Sequence, residues 1–217
     1  MKKSIQTIAL IFASIVSAIA SNDAYVQAMQ KELNTMRSAA TVEDLKKSAN
    51  AFARIAEMNG SEWLPDYYAA LAYANMGFRS QGSLAEKDEL YAQAKKHIKK
   101  ADAISPNNSE IVAVQGFITM GELAADPQSR GQHMSAEAMQ MFGKAISLNR
   151  QNPRAIIMMA QMEYGMAQFF GQGPEKACGL LNSGIELLAK EEASKEEGSI
   201  EPKWGKEIAD RMKGMCK

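Results

Sequence analysis

Three stretches of this sequence carry one spacing: a small residue, a large apolar residue four positions on, and a second small residue three beyond that. They are Ala94/Ile98/Ala101, Ala138/Phe142/Ala145 and Ala177/Leu181/Gly184. An aliphatic follows each triplet three residues later, at Ile104, Leu148 and Leu187. On a helix these positions share one face. The small residues let a second helix approach closely while the large one fills the gap between neighbours. Two of the copies leave their helices through similar exits, KADAISPNNSEI and KAISLNRQNPRAI. Such a repeat constrains the chain to stacked helical units, each of which buries its apolar face only against the next.

The intervening residues agree. Ala, Met, Leu, Glu, Lys and Gln dominate, and β-branched residues never alternate over a strand-length window. Breaks fall at Asn59-Gly60-Ser61, Gln81-Gly82-Ser83, Ser105 through Asn108, Asp126 through Gly131, Gln151-Asn152-Pro153, Gly171 through Pro174, and Gly198 through Pro202. Thr41 with Asp44 has capping-box spacing, Ser109 precedes an apolar run, and Pro153, Pro174 and Pro202 suit first-turn positions. These signals predict about eight helices and a short C-terminal one, joined as antiparallel pairs.

With these motifs the chain resembles the tetratricopeptide repeat family, whose second helix carries the same small-large-small pattern and ends toward a Pro-Asn turn. Gly116 and Ala160 fall where that family places a small residue in the next helix. A weaker copy, with Leu45, Ala49 and Phe52 at the corresponding positions, departs from the pattern and reads as a degenerate first repeat or an N-terminal cap. The resemblance implies a right-handed α-solenoid of about three to four repeats with a C-terminal capping helix. It also implies a concave face lined by the first helix of each pair, on which Phe117, Arg154, Gln161 and Tyr164 are the expected ligand-facing residues.

The repeat lengths are irregular. Ile55, Ile104, Leu148 and Leu187 are 49, 44 and 39 residues apart, against a usual period of about 34. In the last two units the excess lies between the paired helices, in DPQSRGQHM and FFGQGP, so both insertions are expected on one edge of the stack. FFGQGPEK is not a phosphate loop: Glu175 stands where a Lys would, and a helix rather than a strand precedes the glycines. It turns a corner. Its Phe169 and Phe170 either pack over the end of the stack or form an exposed contact for a partner.

Residues 1–20 read as a cleaved export signal, with Lys2-Lys3, an apolar run from Ile5 to Ile19, and Ala18-Ile19-Ala20 as the cleavage site. No cysteine at position 21 marks a lipid attachment point. The expected product is a single helical-repeat domain, 21–217, soluble in the periplasm or outside the cell. Within it, 191–201 reads as a charged linker and 202–217 as the capping helix. The chain has 25 basic and 25 acidic residues; without Lys2 and Lys3 the balance is 23 to 25, which argues against a nucleic-acid partner. The two cysteines allow one bridge in an exported chain, Cys178–Cys216, the alternative being two buried free thiols.

No catalytic motif is present, and neither His97 nor His133 has metal-ligand spacing, so no enzyme activity, cofactor or metal site is expected. Met159, Met162 and Met166 follow a buried helical stripe, although thioethers in an exported protein can also bind Cu(I). Three functions fit these observations. The first is an interaction scaffold holding a peptide or protein segment on the concave face. The second is a subunit docking on an envelope assembly through its insertion edge, and the third a small-ligand or Cu(I) site between helices.

Overall fold

A computed structural model describes residues 23–194 and 196–216; the export signal expected at 1–20 lies outside them. Among the described residues the chain is all-α. Its helices are α1 (23–37), α2 (Val42–Met58), α3 (Leu64–Arg79), α4 (Leu84–Ile104), α5 (Ser109–Ala125), α6 (Pro127–Leu148), α7 (Pro153–Phe169), α8 (Glu175–Ser194) and α9 (Lys206–Met215).

Local chemistry sets the helix starts. Thr41 with Asp44 and Ser83 with Glu86 form complete capping boxes, while the side chains of Asn108, Asp126 and Asn152 accept from first-turn amides. The segment expected to break at Asp126–Gly131 instead breaks at Asp126 alone. Pro127 opens α6 under the Asp126 cap, and the extra residues of that repeat lengthen the helix instead of forming a loop. Arg130 ties this extension down with a two-pronged ion pair to Asp88, both distances being 2.7 Å. At the other end, α8 runs to Ser194 and so takes in the first residues of the charged stretch 191–201. Pro202 precedes the last helix rather than opening it, because Gly205, with φ 106°, turns the chain into α9.

Consecutive helices pack as neighbours in α2/α3, α3/α4, α5/α6 and α7/α8. In addition, α3, α5 and α7 touch in turn, making a row, and α4, α6 and α8 each pack on the row member before them. The repeated triplets make these contacts: Ala94, Ile98, Ala101, Ala138, Phe142, Ala145, Ala177, Leu181 and Gly184 are all buried. The Phe142 ring lies where a methyl on Gly116 would meet it at 2.6 Å, and Ile157 stands at the same distance from a methyl on Gly184.

Tyr91 of α4 fills a slot with a glycine on each side, Gly77 of α3 and Gly121 of α5, and a methyl on either would come within 2.5 Å of its ring. Alanine is the better helix former, by about 1 kcal/mol. Overpacking a fully buried ring opposes that gain at about 1–3 kcal/mol. Gly121→Ala is therefore expected to lower the unfolding free energy in urea by up to about 2 kcal/mol. A stabilised Gly121→Ala would show that Tyr91 can move aside.

Candidate ligand-binding cleft

The chain after α8 returns across the row as a strap. Gln30 of α1 donates to the Gly198 carbonyl, the Tyr68 hydroxyl donates to the Ile200 carbonyl at 2.9 Å, and the Trp204 indole N–H donates to the Tyr67 hydroxyl at 2.6 Å. Ala209 and Met212 bury one face of α9. A disulfide joins Cys216 to Cys178 of α8. Both ends of the strap are thus fastened to the helical stack.

Between strap and row lies an open cleft of about 590 Å³. One part of its lining is aromatic: Phe78 of α3 packs on Phe117 of α5 at 4.7 Å, and Phe117 on Trp204 at 5.4 Å, measured between ring centroids. Leu33 and Met36 of α1, Leu71 of α3 and Met120 of α5 extend the apolar surface. The other part is cationic. Arg37, Arg79, Lys203, Lys206 and Arg211 line the cleft, with Glu207 the one acidic residue among the lining residues. Gln161 of α7 also reaches it, and its Oε1 is buried with no hydrogen-bond donor among the described residues.

Behind the cleft a buried polar chain holds Trp204 in place. Arg154 is 4% exposed. Its Nε donates to both oxygens of Glu110 at 2.9 and 2.7 Å, and its Nη1 and Nη2 donate to the two oxygens of Glu191 at 3.1 and 2.6 Å. Desolvation works against the guanidinium charge, but the Glu110 charge and the hydrogen bonds to Glu191 and Glu110 outweigh it and raise the Arg154 pKa above its ordinary value. The Tyr67 hydroxyl donates to Glu110 at 3.0 Å while accepting from Trp204. Burial, reinforced by the Glu110 charge, raises the Tyr67 pKa well above its ordinary value, so the phenol stays a neutral donor.

The residues expected on the concave face therefore divide. Phe117 and Gln161 line the cleft. Arg154 does not: two carboxylates inside the protein already match its charge, and that removes it from the ligand-facing set. Tyr164 lies outside the lining, packed beside the main core with its hydroxyl accepting from Gln168 at 3.3 Å. Phe169 and Phe170 are 83% and 62% exposed, edge to face at 5.1 Å on the α7–α8 turn. Met158 and Met162 are buried in the core, with Met159 against it. His97 is buried on Asp66, with 2.6 Å between Nδ1 and Oδ1, and no group of three His, Cys, Asp or Glu side chains among the described residues could hold a metal ion. No helix among them is long and apolar enough to cross a membrane.

No protein-family model matches the chain, and no curated protein matches it. A solved structure does. The chain is similar to a haemophore. That protein, HusA from Porphyromonas gingivalis, superposes with a TM-score of 0.77 at 29% sequence identity, over 89% of this chain and 92% of its own. It is a binding protein.

Proposed function

We propose that this chain is an exported carrier for a flat, apolar ligand of the haem class, held in the cleft between the helical row and the strap. One observation carries the reading: a cleft with an aromatic wall and a cationic part, in a chain similar to a haemophore. Its volume falls within the roughly 300–1,000 Å³ typical of small-ligand sites. The Phe78–Phe117–Trp204 series offers ring faces for stacking, and Met36 and Met120 offer soft, adaptable contacts. A tetrapyrrole would be cargo here, taken up and released by the same apolar surface. The strap also favours a compact ligand over an extended peptide, because it occupies the row where a peptide would need an open groove. The disulfide suits an oxidising compartment and so supports export.

Titrating the mature, oxidised protein with haemin tests this. Saturable binding is expected, with a change in the haemin absorbance band and quenching of Trp204 fluorescence. Met36→Glu places a charge on the half-buried apolar wall and is expected to weaken binding at least about tenfold, with the helical circular dichroism unchanged. Haemin that fails to saturate the protein would refute the reading.

The exposed Phe169 and Phe170 favour a second role, contact with an envelope partner at the α7–α8 turn. Phe169→Ser/Phe170→Ser is then expected to abolish crosslinking to that partner while haemin binding persists. Unchanged crosslinking would remove this role.

A further inference from the structure

The cleft's charge is out of proportion to the chain's. Basic and acidic residues balance at 25 each over the whole sequence, yet five cations and one carboxylate line the cleft. Five cations elsewhere are matched: Lys47 pairs with Asp44, Lys95 with Glu122, Arg130 with Asp88, Arg154 with Glu110 and Glu191, and Lys176 with Glu163. By contrast, no carboxylate among the described residues makes an ion pair with Lys203, Lys206 or Arg211. Arg37 and Arg79 each donate to a neutral oxygen, of Asn34 and Ala39, and neither makes an ion pair among the described residues.

Clustering unneutralised like charges destabilises a fold by self-repulsion, and a cleft with low-dielectric walls focuses their field. That cost is relieved by an anion bound in the cleft. The aromatic wall requires the same ligand to be flat and apolar over most of its surface, which places its negative charge at one edge.

We propose that Lys203, Lys206 and Arg211 of the strap, with Arg37 and Arg79 of the row, form a carboxylate clamp. The clamp makes the cleft selective for tetrapyrroles bearing free carboxylates over esterified ones. This rests on the haem-class reading and extends it to the ligand's charged edge. Lys206 and Arg211 are the specificity residues most open to test, being exposed and outside the core.

The experiment compares haemin with haemin dimethyl ester, which keeps the ring and the iron and lacks the carboxylate charges, on the full oxidised chain. Haemin is expected to bind about tenfold more tightly. Lys206→Gln/Arg211→Gln brings haemin down to the affinity of the ester and leaves the ester unchanged. Added salt weakens haemin and not the ester. Equal affinities for the two ligands, or a double variant that weakens both alike, would overturn the clamp while leaving the carrier intact. Absence of saturable binding by either ligand would overturn the carrier reading and the clamp together.

Discussion

Arg154→Met is expected to lower the unfolding free energy by about 3–5 kcal/mol. The reason is what it strands. The guanidinium satisfies Glu110 and Glu191 at once from a site 4% exposed, and removing it leaves Glu110 largely buried with the Tyr67 hydroxyl as its remaining described partner. For a chain of this size each kcal/mol shifts the melting temperature by about 2–4 °C, so the loss is of order 10 °C. Arg154→Lys keeps the charge but not the fork that reaches two carboxylates, and is expected to fall between. Arg154→Met/Glu110→Gln recovers part of the loss, since it also removes a stranded charge. A single Arg154→Met within 1 kcal/mol of the parent would show that solvent already reaches the pair.

The same replacement also weakens ligand binding, without any contact between Arg154 and the ligand. Glu110 holds the Tyr67 hydroxyl, Tyr67 receives the Trp204 indole, and Trp204 forms one end of the aromatic wall. Loss of binding in an Arg154 variant therefore reports a displaced strap. Binding titrations of such a variant need its melting curve beside them.

The helical units were legible because their signals are local. The spacing of Ala138, Phe142 and Ala145, or the pairing of Thr41 with Asp44, lies within two turns of chain and reflects contacts each unit must make. The export-compatible cysteine pair was legible from count alone. The start of α6 was not: Asp126-Pro127 followed by Gly131 has the composition of a loop, and only the Asp126 cap and the distant Asp88–Arg130 pair make it helix. The cleft was legible only in part. Phe117 and Gln161, two of the residues expected to face a ligand, line the cleft, but the strap meets the row across 132 and 137 residues, at Ile200 and Trp204. In sequence, Lys203, Lys206 and Arg211 resemble any solvated charges. Folding sets them around one cleft with Arg37 and Arg79, where Glu207 is the one carboxylate among the described lining residues.

Reducing the Cys178–Cys216 disulfide, or replacing it by Cys178→Ser/Cys216→Ser, is expected to cost about 4 kcal/mol in the chain-entropy account, for cysteines 38 residues apart. The cost is local before it is global. α9 has 10 residues, too few for an isolated helix to be stable in water, and among the described residues its covalent tie beyond the chain itself is Cys216. Without it, α9 rests on the burial of Ala209 and Met212 and on the hydrogen bonds that hold Ile200 and Trp204. Hydrogen exchange should accordingly quicken in 206–215 well before it does in α3 or α5. Because the strap carries Trp204, Lys206 and Arg211 into the cleft, haemin affinity should fall with it, and the preference over the dimethyl ester should fall further, since the clamp loses more of its members than the aromatic wall does. Equal exchange in α9 with and without the disulfide would mean that Met212, Trp204 and their neighbours hold the strap unaided, and haemin binding should then be indifferent to reductant.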